Sequence, residues 1–396
     1  MTISIPLFAV KTKLDLGRLT YRKLPIANIQ RRLAGRYALE PEIALNDYSC
    51  RAVIDWLSLG RETQHQWLQH EVKAVLGKAS HIKALEEKPG GVSDQFEIRV
   101  QEPQLDEVRR LCERVQGKFG LRAPPVVGEI EISVDFTPKT PDDVARAKLF
   151  QVLTHHFQPP RDVIAHLRDR PRFAFGTGAA ATVGVLGYSR VSCSKNDHFL
   201  ILTTTDRLPY VDATYYVGSR EAGSRWRIMD KVVDRQNRSA GTQRYLADAE
   251  KRVRIEVTFS RQELAAMNLN HLADLRTFSF SRLQAKAFIF VLPTFGTREV
   301  GLLASISAWK DRRRTEKFSK AGVVGLKTMD DALDRQRETI RSGARSDFRQ
   351  RGLTMKPLPR FGKGASGTSV AYQEMNERVG VALRHLGERV AASFSC

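Results

Sequence analysis

The sequence predicts an α+β fold whose sheet is largely antiparallel. Residues 128–136 alternate apolar and polar side chains without interruption, and residues 252–259 do the same. Short turns or single helices separate most of the strand patterns, which favours antiparallel neighbours. We therefore expect helices on one face of the sheet, an open polar face on the other, and basic extensions at both ends of the chain.

The remaining elements are predicted by the same reasoning. Residues 52–59 and 95–101 have strand patterns, and residues 104–116 repeat apolar positions at helical spacing. Thr140-Pro-Asp-Asp143 offers a hydroxyl cap, a proline at the first helical position and acids in the first turn. This pattern predicts a helix from Thr140 to His155.

Net charge is the strongest compositional signal. The 396 residues carry 64 Lys and Arg against 44 Asp and Glu, a formal net charge of +20. Such an excess predicts a polyanionic partner, most often nucleic acid, because neutralised phosphates release condensed counterions. No apolar run approaches the roughly 20 residues that cross a bilayer, and the N-terminus lacks a secretory pattern. The four cysteines include no C-x-x-C pair, which fits a reducing compartment. We expect a cytoplasmic protein without membrane contact.

Composition divides the chain into five predicted segments. These are a basic N-terminal arm that orders on a partner (1–48), a main domain (49–310), a charged helical region (311–341), a Gly/Ser/Arg-rich linker (342–369) and a C-terminal amphipathic helix (370–396). The apolar stripe of the last helix has two interpretations, since it would pack on the domain or form an oligomer contact.

Alternate residues of three strands place acids and basic residues on one side of the predicted sheet. Their polar sides contain Glu129, Glu131, Ser133 and Asp135; Arg252, Arg254, Glu256 and Thr258; and Arg225, Arg227, Met229 and Lys231. A solvated surface would show the same pattern. The alternative is an oxygen-ligand site for Mg²⁺ or Mn²⁺ with arginines and lysines that bind phosphates.

In order and spacing, four segments resemble the replication initiation factor family of rolling-circle plasmids, which includes relaxases of some integrative conjugative elements. The segments are Ile54–Leu57, Glu129–Asp135, the hairpin over 216–231, and Arg252–Glu256. The resemblance implies a DNA-binding protein that nicks one strand at an origin. In that family a tyrosine attacks the phosphodiester and stays joined to the 5′ phosphate, while a divalent metal polarises the phosphate. The resemblance also implies a homodimer.

The same resemblance implies metal ligands at Glu131, Asp135 and Glu256. Asp55 is a further candidate, but it alternates with Val53 and Leu57, so a buried structural acid is an equal interpretation. The DNA- and phosphate-binding candidates are Arg220, Arg225, Arg227, Lys231, Arg252 and Arg254.

One position departs from the family pattern. Met229 stands where the family has its nucleophilic tyrosine, and a thioether cannot form a phosphotyrosine link. Either the protein is a non-catalytic sequence-specific DNA-binding protein, or another tyrosine serves. A hairpin that turns between Ala222 and Gly223 would place Tyr216 opposite Met229. Tyr216 is therefore the candidate nucleophile, with stacking on DNA or a surface position as the alternative. RNA binding or RNA processing is a third, more distant hypothesis.

Overall fold

The computed structural model describes most of the chain. It leaves out residues 1–2, 10–11, 27–32, 34, 63–67, 78–80, 86–94, 121–122, 175–181, 187–205, 209, 220, 238–241, 297–302, 355–368 and 395–396.

Strands and helices are both abundant in the described residues. The strands are β1 (Ile3–Ala9), β2 (Leu14–Pro25), β3 (Tyr37–Pro41), β4 (Tyr48–Glu62), β5 (His81–Ala84), β6 (Gln95–Gln101), β7 (Val126–Pro138), β8 (Arg172–Ala174), β9 (Thr182–Gly184), β10 (Thr214–Val217), β11 (Ser224–Lys231), β12 (Val233–Asn237), β13 (Thr242–Tyr245), β14 (Arg252–Ser260), β15 (Val291–Phe295) and β16 (Ser369–Ala371). The α-helices are α1 (Leu68–Leu76), α2 (Leu105–Phe119), α3 (Asp143–His156), α4 (Arg261–Ala266), α5 (Leu283–Ala287), α6 (Leu303–Gln350) and α7 (Gln373–Ser393).

The chain forms two compact units, and neither is continuous in sequence. Unit 1 contains Met1–Asn46, Thr140–Val217 and Ile289–Asn376, and unit 2 contains Asp47–Lys139, Gly218–Phe288 and Glu377–Cys396. The predicted domain over 49–310 therefore does not match either unit. Composition could not reveal this division, because each unit is assembled from segments far apart in the sequence.

Unit 2 is built on an antiparallel sheet with the strand order β5-β6-β4-β7-β14-β11. Ile132 and Val134 of β7 and Ile255 and Val257 of β14 are buried, as their alternation predicts. Trp226 of β11 is buried too. The predicted α+β class with a largely antiparallel sheet is confirmed.

Unit 1 contains a second antiparallel sheet, with the strand order β1-β2-β3-β15-β16, and the strand group β10-β8-β9. Residues 1–48 are therefore not the arm that the sequence predicted. Ile5, Leu7, Leu19 and Tyr21 are buried, because the apolar positions among the basic residues point into this unit. The alternation of buried Ile5 and Leu7 is the local signal for this strand, and the basic residues that follow it do not reveal it.

Two helix boundaries differ from prediction. The N-cap of α3 is Asp142, whose carboxylate accepts a hydrogen bond of 2.8 Å from the amide of Val144. The expected cap, Thr140, lies two residues earlier. Helix α6 continues to Gln350, so the predicted linker over 342–369 begins too early, and much of its remainder lies outside the described residues. The Gly and Ser residues of 342–350 are tolerated inside the helix.

Helix α7 buries its predicted apolar stripe. The buried residues of the stripe are Val379, Leu383, Leu386 and Val390. Within unit 2, Arg389 donates a hydrogen bond of 2.6 Å to the carbonyl of Ala52, and Arg109 of α2 donates one of 3.3 Å to the carbonyl of Phe394. The stripe therefore packs within the chain. None of the helices in the described segments combines the length and apolar character of a membrane span.

Candidate functional site

The register of unit 2 places the predicted polar residues side by side. Arg254 of β14 faces Asp135 of β7, and Thr258 faces Glu131. On the other side of β14, Glu256 faces Arg227 of β11. Directly opposed strand residues have neighbouring side chains, so the shared polar face predicted from alternation is present.

Asp55 lies on this face, at an irregularity in β4. Ile54 faces Ile132, but Trp56 already faces Glu131, so Asp55 is an extra residue in the pairing with β7. The amide of Glu102 donates a hydrogen bond of 2.7 Å to the Asp55 carbonyl. Asp55 keeps the side of Val53, which faces Ser133, whereas the bulge moves Leu57 to the apolar side, opposite Ile130.

Three carboxylates converge at the bulge. Oxygen atoms of Asp55, Glu131 and Glu256 all lie within 4.8 Å of one another, the spacing at which a single cation can be held. Asp135 lies outside this group. Of the ligand set implied by the resemblance, the structure brings together Glu131 and Glu256, and it adds Asp55 in place of Asp135.

Arginines link the acids to one another. Arg254 makes two bonds to Asp135, Nε–Oδ1 at 2.5 Å and Nη2–Oδ2 at 2.7 Å, and it also donates to Asp55. Arg227 donates to Oε2 of Glu256, and its Nη2 is 3.5 Å from Oε1 of Glu131. Arg254 thus bridges Asp55 and Asp135, and Arg227 bridges Glu256 and Glu131.

Glu256 is the least satisfied of the three acids. Its exposure is 1%, and Oε1 has no hydrogen-bond partner. Burial raises the pKa of Glu256 to about 7; Arg227 opposes this shift, and the nearby charge of Glu131 adds to it. A buried acceptor with no donor, next to two more carboxylates, is the arrangement that an oxygen-binding cation would complete.

Burial and neighbouring charges also shift the pKa values of Asp55, Lys231 and Arg254. Burial works against the charged form of Asp55, but the positive charges of Arg254 and Lys231 outweigh it, so the pKa of Asp55 is lowered. Burial, and then the charge of Arg254, lower the pKa of Lys231. Burial works against the charged form of Arg254, but the hydrogen bond and charge of Asp135, together with the charge of Asp55, outweigh it and raise the pKa of Arg254. Arg254 therefore stays charged.

The predicted phosphate-binding residues have different surroundings. Arg254 has only 2% of its side chain exposed and holds the carboxylates, whereas Arg227 is 36% exposed. Nε of Arg252 lies 3.0 Å from Oδ2 of Asp135, without the alignment of a hydrogen bond. Arg225 faces Thr258, and Arg220 lies outside the described residues. Arg227 and Lys231 thus remain the best placed to contact a phosphate.

The candidate nucleophile lies in the other unit. Tyr216 is in β10 of unit 1, opposite Arg172, whose guanidinium lies 5.5 Å from the centre of the tyrosine ring. The neighbouring Tyr215 is buried, and its burial raises its pKa. Met229 is in β11 of unit 2, opposite Arg254. The facing of Tyr216 and Met229 stays a prediction.

Sequence reasoning missed two features. A two-stranded ribbon, β12–β13, carries exposed Gln243, Arg244 and Tyr245; its polar residues on both faces were the available signal. The guanidinium of Arg99 lies 4.1 Å from the ring centre of Trp56, which the bulge turns to the side of Glu131.

No protein-family model and no curated protein sequence matches this chain.

Proposed function

We propose that the protein binds DNA and nicks one strand at an origin of a plasmid, phage or integrative element, with Mg²⁺ or Mn²⁺ as cofactor. The observation that carries the proposal is the convergence of Asp55, Glu131 and Glu256 within 4.8 Å on a basic sheet face. Phosphodiester cleavage needs a cation, positive groups for the phosphate and a nucleophile.

The three carboxylates suit a small divalent cation. Asp55, Glu131 and Glu256 would hold it, and when bound it would polarise a phosphate oxygen. Around them, the hydroxyl of Thr258 donates a hydrogen bond of 2.6 Å to Glu131, and Arg254 holds Asp55. These contacts fix the orientation of two of the three acids.

Basic side chains of the protein would position the DNA strand. Arg227 and Lys231 are both in β11, next to the strand that carries Glu256, and they would bind phosphate oxygens. The formal net charge of +20 supports salt-sensitive binding that does not depend on base sequence. We also propose a cytoplasmic location, where such a substrate is found.

Tyr216 is the proposed nucleophile. Its phenolic oxygen would lose its proton and form a bond to phosphorus, the bond from phosphorus to the 3′ oxygen would break, and that oxygen would take up a proton. The product is a 5′ phosphotyrosine and a free 3′ hydroxyl. Tyr216→Phe removes the attacking oxygen and keeps the ring.

The test is cleavage of supercoiled DNA that contains the sequence flanking the gene, with Mg²⁺ or Mn²⁺. We expect relaxed DNA with covalently attached protein. Glu256→Gln and Tyr216→Phe should each reduce nicking at least 100-fold, as loss of an essential catalytic group does. The matched controls are Glu388→Gln and Tyr245→Phe, at exposed positions. Normal nicking by Glu256→Gln would rule out this metal site.

Met229 favours a second candidate, a non-catalytic DNA-binding protein on the same fold. In that case wild-type protein binds the flanking DNA with sequence preference, and no covalent product forms with either metal. Competition with RNA and single-stranded DNA of equal length tests the RNA hypothesis. Preference for RNA would replace both DNA proposals.

A further inference from the structure

A cavity of about 670 Å³ lies within unit 2 beside the carboxylates. Its walls come from β4, from the residues at the start of α2 and from α7, and Asp55 and Asp135 line it together with Arg254. The volume falls in the range of about 300–1,000 Å³ that is typical of small-ligand pockets. The site therefore has room for a group beyond the one that reacts.

The cavity lies where β4 pairs with β7 on one side and with no described strand on its other side, over residues 48–55. The pairing of β4 with β6 stops at Trp56, opposite Gln101. Beyond that point α7 approaches, and Arg389 donates its hydrogen bond to the carbonyl of Ala52. The C-terminal helix thus forms a wall of the site, a role that its sequence does not suggest.

Two guanidinium groups line this cavity, and one of them, Arg51, lies opposite Asp135 in the strand register. In the described part of the chain, neither Arg51 nor Arg389 forms an ion pair, and both are exposed. Burial, and then the positive charge of Arg51, lower the pKa of Arg389, while Glu388 partly offsets the shift. Two arginines that repel each other in one cavity are stabilised when an anion binds between them.

The start of α2 contributes the positive end of a helix dipole to a cavity whose lining carries four arginines and four acids. Gln104, the N-cap of this 15-residue helix, makes no capping hydrogen bond through its side chain. Gln104 and Leu105 both line the cavity. Free amides at a helix N-terminus attract anions, and phosphate groups are frequent ligands there.

We propose that this cavity binds a nucleotide phosphate of the single DNA strand held at the carboxylates, with Arg51 and Arg389 as its ligands. The inference rests on the proposed function, since it names a second contact of the same strand. Asp55 and Asp135 line the same cavity, so the bound phosphate belongs to a nucleotide next to the one that reacts. Helix α7 is thereby a substrate-binding element.

The experiment measures binding of fluorescein-labelled oligothymidylate of 12 nucleotides in EDTA, where no nicking occurs. Arg51→Ala and Arg389→Ala should each weaken binding about tenfold, as loss of a charged hydrogen bond does. The double variant should lower the slope of log K against log salt by about 0.7, the value for one phosphate of a single strand. Arg389→Lys should keep most of that slope.

Arg384→Ala is the matched control, because Arg384 is exposed on the same helix and does not line the cavity. Equal binding by Arg389→Ala and Arg384→Ala, with wild-type protein still bound to the oligonucleotide, overturns the phosphate site and leaves the proposed function standing. Absence of DNA binding by wild-type protein overturns the proposed function itself. Binding of thymidine monophosphate as tight as that of the oligonucleotide overturns the strand as ligand and indicates a free nucleotide.

Discussion

At the scale of single residues, Arg254 organises the acids of unit 2. It is 2% exposed and bonds to Asp135 and Asp55, while its Nη1 is 3.6 Å from Oε1 of Glu256. Charges buried to this degree are tolerated only when they are paired. Arg254 therefore serves the fold as well as the site.

Replacing Arg254 by alanine should lower the free energy of unfolding by about 3–5 kcal/mol, because it leaves Asp135 and Asp55 without their main partner. Urea denaturation followed by circular dichroism measures this loss. Arg384→Ala removes the same charge from an exposed position and should change stability by less than about 0.5 kcal/mol. A similar small effect from both variants would contradict the structural role of Arg254.

His155 and His156 are adjacent buried titratable residues of unit 1. Nδ1 of His156 lies 2.8 Å from the carbonyl of Val291, and Nδ1 of His155 lies 3.1 Å from that of Gln151. Burial lowers the pKa of His155 to about 4 and that of His156 to about 3. Both imidazoles are therefore neutral in the folded protein at neutral pH.

This pair should make unit 1 sensitive to acid. The two histidines of the unfolded chain bind protons near pH 6.5, and those of the folded chain do not. Their protonation therefore costs no stability above pH 6.5, and the free energy of unfolding falls as the pH drops below that value. The loss should reach about 2 kcal/mol per histidine at pH 5. Melting temperatures between pH 8 and pH 5 test this, and the His155→Gln/His156→Gln variant should show a flatter dependence.

Glu256 in unit 2 acts in the opposite direction. Its raised pKa means that the folded protein takes up a proton first, so stability increases as the pH falls from about 7 to the ordinary value of a glutamate. The histidine comparison is therefore made in Glu256→Gln protein. An unchanged pH dependence after loss of both histidines would show that they are not the acid-sensitive groups.

At the scale of elements, α6 depends on the glycine at its break. Gly322 has φ +61° and ψ −161° inside the helix. A Cβ there would lie 2.7 Å from the carbonyl oxygen and 2.8 Å from the Cα of His155. Both the backbone angle and the contact with another backbone segment exclude a side chain.

We expect Gly322→Ala to lower stability by about 1–3 kcal/mol, since the strain cannot be relieved by moving a flexible side chain. Gly343→Ala lies in the same helix, where a Cβ meets nothing within 4 Å, and should raise stability by about 0.5–1 kcal/mol. Thermal unfolding of the two variants provides the comparison. Stabilisation by Gly322→Ala would show that the helix is straight at this position.

The sequence predicted some features of the strands and helices better than others. The faces of β7 and β14 were predictable, because a strict period of two fixes which side chains share a side. The side of Asp55 was not, since the sequence shows it alternating with Leu57, and the bulge after Asp55 moves Leu57 to the opposite face. The cap of α3 at Asp142 was within two residues of the prediction, because Thr140 and Asp142 are both good capping residues.

At the scale of the whole molecule, the chain passes repeatedly between the two units. The predicted domain over 49–310 would lack β1, β2 and β3 of the unit 1 sheet and α7 of unit 2. Unit 1 would then expose Phe295, whose ring packs against those of Tyr37 and Phe318 outside the fragment.

The isolated fragment 49–310 should therefore fail to fold cooperatively. Circular dichroism melts and size-exclusion chromatography of the fragment, compared with the full chain, test this expectation. A soluble fragment with a sharp thermal transition would contradict the division into two discontinuous units. It would restore the sequence-based domain instead.

The sequence alone determined the fold class, the polar face of the central strands and the presence of acids and arginines on it, because these follow from local alternation and composition. The family resemblance implied that Glu131 and Glu256 share one site with Asp135. Only the tertiary structure decided that Asp55 joins them, that Asp135 is held by Arg254, that residues 1–48 include strands of a sheet, and that α7 forms a wall of the cavity. These features depend on pairing between distant segments, and no local pattern encodes which segments meet.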